Sequence, residues 1–264
     1  MDDLARKIRE GKVILFVGAG VSATLKLPTW SQLMDEIASR LAIDRDIFSL
    51  YGDPLTLAEY YILEKGTIGS LRSWMDVNWN VDETEIRASE IYQIIARLNF
   101  PIIYTTNFDR CLEKSYHAFG KAFTKVSKVE DICECDNNKA QIIKFHGDFD
   151  DDESIVLTES SYFDRMDFES PLDIKLRSDI LGKSLLFIGY SLSDINMRYM
   201  IYKLNRMWEN KRLRPISYIF MTAPNPVQER VLLSRSITPV IGTEVNPTES
   251  LRKFLKELAQ RVGV

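Results

Sequence analysis

The sequence predicts an α/β protein with a Rossmann-like, doubly wound, mostly parallel sheet and a helical insertion. Three observations carry that expectation. Short, almost wholly apolar runs recur as "VILFV", "PIIYT", "QIIKF" and "SLLFI", the pattern of strands buried on both faces. Segments with helical periodicity alternate with these runs. Four of the runs end in small or polar residues, the place where an open parallel sheet binds its ligands.

The elements follow in order. "DLARKIRE" is a short amphipathic helix leading to Gly11, and residues 13–17 form the first strand. Pro28 and Thr29 open a helical pattern with Trp30, Leu33, Ile37 and Leu41 on one stripe. Residues 43–99 hold three helical segments, "LTLAEYYILEK", "GSLRSWMDVNW" and "ETEIRASEIYQIIARL", separated by Gly and Asp. Residues 101–106 form the next strand, with a helix near 108–119. Further strands are expected in "AFTKV", "QIIKF", "SIVLT" and "SLLFIGYS", the last followed by a helix, "SDINMRYMIYKLNRMW". "PISYIFMTA" and "ITPVI" complete the sheet, and "TESLRKFLKELAQRV" closes the chain as an amphipathic helix with Thr248 as N-cap. The expected organisation is one domain, 1–264, with a Rossmann-like core from 1–42 and 100–264 and a helical insertion at about 43–99.

Composition narrows the function classes. With 264 residues, 45% hydrophobic, the chain can bury a core that needs neither disulfide nor metal. A formal charge of −4 gives no overall reason to expect direct nucleic-acid binding. Three cysteines, Cys111, Cys133 and Cys135, read as reduced thiols, and the lone C-x-C falls short of a four-ligand zinc site. No apolar run is long enough for a membrane span, and "MDDLARKIREGK" is too charged for a signal peptide, so the expected location is the cytoplasm.

The candidate site lies at the strand ends. The first apolar run is followed by Gly18, Ala19, Gly20 and Ser22, a turn whose glycines let backbone approach an anion. It lacks the third glycine of the dinucleotide fingerprint, so a tight turn with no ligand explains it equally well. The next site-bearing run ends in Thr105, Thr106, Asn107, Phe108 and Asp109. "IIKF" is followed by His146, Gly147 and Asp148; a neutral imidazole there suits either a turn hydrogen bond or proton transfer. "LLFI" is followed by Gly189, Tyr190 and Ser191, with the same ambiguity, since glycine packing at Gly189 and a helix cap at Ser193 explain it as well as a ligand does. His117, expected mid-helix, reads as a satisfied, partly buried residue.

Taken together, "GAGVS", "TTNFD", "KFHGD" and "FIGYSLSD" resemble, in order and spacing, the NAD-binding segments of the SIR2 (sirtuin) family over roughly residues 11–222. The resemblance implies that Gly18, Ala19, Gly20 and Ser22 lie against the pyrophosphate of NAD. It implies that Asn107, within the T-x-N-x-D motif begun by Thr105, engages the nicotinamide ribose and a water near C1′. Asp109 would recognise the carboxamide, His146 would be the general base, and Gly189 and Ser191 would hold the adenosine half.

Departures from the family refine the expectation. No cysteine lies between 147 and 184, so the zinc ribbon of protein-deacetylating members is absent, and "LPTW" stands where an arginine-bearing segment is usual. The remainder is similar to the SIR2-like domains of bacterial anti-phage defence systems, which hydrolyse NAD. The implied function is NAD+ glycohydrolase activity, with NAD as substrate, no metal, and activation through a homo-oligomer or a partner such as a HerA-like ATPase. Two alternatives stay open: a non-catalytic NAD or ADP-ribose sensor, and an NAD-dependent protein deacylase.

Overall fold

The computed structural model describes residues 1–136, 138–166, 169–190, 195–208 and 215–264. Seven strands form one sheet: β1 (Val13–Val17), β2 (Ile102–Thr105), β3 (Phe123–Val126), β4 (Ala140–Lys144), β5 (Ser184–Ile188), β6 (Ser217–Met221) and β7 (Ile237–Ile241). They lie in the order β3-β4-β2-β1-β5-β6-β7, and every pairing is parallel. From β1 the chain adds β2 beside it, then the edge strand β3, then β4 between β2 and β3, and crosses to β1's other side with β5. The Rossmann-like, doubly wound expectation therefore holds, with the topological switch point between β1 and β5.

β1 shows why these strands are apolar throughout. Val13, Leu15 and Val17 face one core and Ile14 and Phe16 the other, and all five are fully buried. The first core is closed by helices Asp2–Arg9, Glu90–Leu98, Cys111–Ala118 and Pro247–Val262, through residues such as Leu4, Ile95, Leu112 and Leu255. The second is closed by helices Pro171–Asp179 and Ile195–Met207, through Leu176, Met200 and Ile201. Each such aliphatic side chain contributes about 1.5–3 kcal/mol by leaving water.

A third core stands apart from the sheet. Helices Trp30–Leu41, Pro54–Lys65 and Gly69–Asn78 pack Leu33, Ile37, Tyr61, Leu71 and Met75 against Phe108 and Phe149 from the strand-end loops. Residues 43–99 thus divide between two cores, because helix Glu90–Leu98 belongs with the sheet.

Four local expectations differ from the structure. "SIVLT" is not a strand: a short 3-10 turn, Asp152–Ser154, leads into irregular chain. Its donors find other acceptors, since Val156 N–H donates to the His146 carbonyl (2.9 Å) and Leu157 and Thr158 N–H to Ser161 Oγ (3.1 and 2.9 Å). The closing helix is capped by Asn246, whose side chain accepts from Thr248 and Glu249 N–H, because Pro247 at the first position shifts the start upstream. "ETEIRASEIYQIIARL" breaks at Ser89 into two helices. The His117 side chain is 76% exposed, 3.7 Å from Glu83, and not partly buried as expected.

Candidate active site

At the switch point two strand ends interlock through glycine. Gly18 N–H donates to the Ile188 carbonyl and Gly20 N–H to that of Gly189, both at 2.9 Å. A Cβ on Gly18 would stand 2.6 Å from the Gly189 oxygen, and one on Gly189, at φ +71, would stand 2.6 Å from Val21 N. Side chains are thus excluded here by the packing of the turn itself, before any ligand is considered. Val21 N–H donates inside the turn, to Gly18 O at 3.0 Å.

The next strand end is organised around Ser22. A carboxylate can only accept, so the 2.6 Å contact between Ser22 Oγ and Asp109 Oδ2 fixes the hydroxyl proton on Asp109. Ser22 Oγ must then accept from Asn107 Nδ2 at 2.9 Å, which turns the amide oxygen of Asn107 away from it. The buried Tyr92 hydroxyl closes the group, 3.3 Å from Ser22 Oγ. Burial pushes the Tyr92 phenol well above its usual range, with Cys111 and Asp109 adding to the effect, so it stays protonated. Beneath the loop, Thr105 Oγ1 donates to Val17 O (2.8 Å) and accepts Asn107 N–H (3.0 Å). Asp109 Oδ1 takes Cys111 N–H at 3.0 Å, starting helix Cys111–Ala118.

His146 follows β4 and is 97% buried, being 3% exposed. The turn after it requires glycine: Gly147 has φ +93, and a Cβ there would lie 2.1 Å from the Ser154 carbonyl. Tyr162 meets the imidazole edge-on with centroids 5.3 Å apart, and Nε2 is buried with no hydrogen-bond partner among the described residues. Loss of water, followed by the positive charge of Arg165, pushes the His146 pKa down to about 3. The imidazole is therefore neutral over the whole neutral range.

These groups converge. A pocket of about 300 Å³ is lined by Ala19, Gly20 and Ser22 from the first turn, Asn107 and Asp109 from the second, and His146 from the third. Its far wall is aromatic: Trp79 stacks near Phe108 and Phe149, at 6.1 and 6.3 Å, and its indole N–H donates to Pro28 O at 2.7 Å. A second pocket of about 560 Å³ lies across the same turn, sharing Ala19 and Gly20 and adding Gly189, Tyr190 and Thr222. Gly18 and Thr105 line neither pocket and act from within the turns, while Ser191 lies outside the described residues.

Sequence reasoning missed four residues here. Tyr92 and Tyr162 look like ordinary helical aromatics, and Trp79 reaches the pocket only through the helical segment. Lys144 did leave a signal, a charged residue inside the apolar run "QIIKF". Its ammonium is wholly buried and donates to the carbonyls of Phe108, at 3.2 Å, and Asp109.

A family model described as SIR2-like domain matches residues 101–240, which contain three of the four strand-end motifs. The chain is 31% identical over 198 residues to an NAD(+) hydrolase ThsA of Enterococcus faecium, covering 74% of this chain and 40% of that protein. It is 26% identical over 216 residues to the NAD(+) hydrolase ThsA of Bacillus cereus, covering 80% of this chain and 44% of the relative. Defense-associated sirtuin 2 of Bacillus subtilis matches at 26% over 248 residues, 88% of this chain and 23% of the relative. The chain thus spans less than half the length of each of these relatives. With a family model matching more than half of its residues, and with three of the strand-end turns gathered into one pocket, the chain belongs to the SIR2-like domain family.

Proposed function

We propose that the protein is an NAD+ glycohydrolase, cleaving NAD to nicotinamide and ADP-ribose. The observation that carries the reading is the convergence of Asn107, Asp109, Ser22 and His146 in one pocket, beside a glycine turn that a second pocket flanks. A dinucleotide has two halves joined by a pyrophosphate, and two pockets across one glycine turn suit that shape. The names of the NAD-hydrolysing relatives support the same substrate.

Breaking the glycosidic bond places positive charge on the ribose C1′ and needs water on its face. The amide oxygen of Asn107, turned away from Ser22, is the group fitted to hold that water or a ribose hydroxyl. Asp109 retains acceptor capacity beyond Ser22 and Cys111, and we assign it to the nicotinamide carboxamide, orienting the leaving group. His146, neutral and buried, supplies an acceptor for a ribose hydroxyl. An imidazole of such low basicity is a weak proton acceptor, so positioning carries more of its contribution than general-base catalysis. We assign the glycine turn, Gly18, Ala19 and Gly20, with Thr105 beneath, to the pyrophosphate side, and Gly189 and Ser191 to the adenosine side.

That low basicity also favours a second reading, a non-catalytic NAD or ADP-ribose sensor. One experiment separates the two: nicotinamide release is followed while calorimetry records NAD binding. Turnover that falls by about 100-fold or more in Asn107→Ala supports hydrolysis; NAD binding with no turnover, alone or with a partner, supports the sensor. We further propose that the protein serves anti-phage defence in the cytoplasm by depleting NAD, as a homo-oligomer or under the control of a partner such as a HerA-like ATPase. Unregulated depletion would harm the cell that makes it. No helix among the described residues is long and apolar enough to cross a membrane.

A further inference from the structure

Lys144 is the last residue of β4 and has no solvent exposure. An ammonium withdrawn from water loses its hydration, and a hydrophobic residue of similar volume would fill the space without that loss. Its retention therefore needs specific partners. Two are carbonyl oxygens, Phe108 O at 3.2 Å and Asp109 O. Two are acids, Glu113 Oε1 at 3.4 Å and Asp148 Oδ2 at 4.0 Å, both on buried side chains. Neither carboxylate oxygen of Glu113 accepts a hydrogen bond among the described residues. Burial pushes the Glu113 carboxyl above its usual range and Asp148 Oδ2 lies nearer Lys125, at 3.4 Å, so the directed N–H bonds of Lys144 go to the loop.

That loop is held elsewhere through Asn107, to Thr105 and Ser22, and through Asp109, to Ser22, but among the described residues only Lys144 reaches its Phe108 and Asp109 carbonyls. The β2 ladder ends at Thr105, which pairs with Lys144, and Phe145 N–H donates the last bond to Thr105 O at 2.8 Å. Beyond it the Phe108 and Asp109 carbonyls turn inward, where an unpaired oxygen is costly. Lys144 satisfies both, and it stands two residues before His146 on the same strand end.

We propose that Lys144 is a positioning residue: by clamping the Phe108 and Asp109 carbonyls to β4, it sets Asn107 against His146. The clamp's kinetic consequence rests on the NAD-cleaving reading; the clamp itself does not.

Hydrogen–deuterium exchange and steady-state NAD hydrolysis on Lys144→Met test the two parts separately. Amides of residues 106–110 should exchange about tenfold faster or more, with β1 and β5 as protected as in wild type. The kcat should fall by about 10–100-fold while KM stays within about threefold, the mark of misplacement as opposed to lost binding. Lys144→Arg, which keeps a cationic donor, should recover part of that kcat. If Lys144→Met does not fold, Lys144→Met with Glu113→Gln removes the stranded acid and carries the same expectations. Unchanged exchange across 106–110 overturns the proposal, as does faster exchange with wild-type kcat. If wild type itself leaves NAD intact, the hydrolase reading fails, and exchange alone decides whether Lys144 is a clamp.

Discussion

Ser22 has one proton to give, and Asp109 takes it. Everything polar around Asn107 follows from that assignment, so Ser22→Ala should free the amide to turn. We expect NAD turnover to fall about tenfold or more with the fold intact, measured as nicotinamide release beside a thermal melt. His146 makes a prediction of the opposite sign to that of a surface histidine. Its folded pKa of about 3 lies below the unfolded value of 6.5, so as pH falls through that window the unfolded chain binds a proton that the folded chain refuses. Stability should then drop by about 1.4 kcal/mol per pH unit below the unfolded pKa, with no such loss above it. Melts between about pH 7 and about pH 5 check this, because His146→Gln should lose less stability than wild type. Parallel curves would contradict it. The sequence made Asn107, Asp109 and His146 visible because polar groups rarely end buried strands. Tyr92 was invisible, since an aromatic on the apolar face of a helix looks the same whether or not its hydroxyl meets Ser22.

At the scale of elements, the turns and the helical segment decide where those residues stand. Gly147→Ala places a methyl 2.1 Å from the Ser154 carbonyl at φ +93, so the turn that carries His146 must shift. A loss of about 1–3 kcal/mol is expected, read from denaturant unfolding; a neutral result would show that the turn is freer than its geometry implies. The helical segment is joined to the site by ion pairs, Arg110–Asp76 at 2.8 Å and Arg72–Asp152 at 2.7 Å, as well as by Trp79. Leu33→Ala, in the core it shares with Phe108 and Phe149, should cost about 2–5 kcal/mol. That cost should appear as lowered unfolding free energy together with faster exchange in the loop holding Asn107. The helical character of 43–99 was legible from its periodicity. Its division between two cores was not, because periodicity reports which face is apolar and not what covers it. "SIVLT" failed for a related reason: β-branched residues suit any buried extended chain, and the ladder went unformed because His146 and Ser161 took the donors.

The whole molecule places two pockets across one switch point; the sequence made the edge that bears them legible, because buried parallel strands must be apolar throughout and their polar residues collect at one edge. What the sequence did not make legible is how the proposed activity is controlled. Exposed apolar residues lie on and beside the helical segment, including Leu50 at 82% and Leu63 at 74% exposure. If assembly controls activity, light scattering should find an oligomer whose dissociation on dilution lowers the specific rate; a fully active monomer would contradict that control. The most direct test of the central claim is to quantify nicotinamide and ADP-ribose released from NAD by wild type and Asn107→Ala in the same assembled state. Hydrolysis at this site predicts equal amounts of the two products from wild type and about a hundredth or less from the variant. Equal turnover by both proteins, or no turnover while NAD is bound, would contradict it.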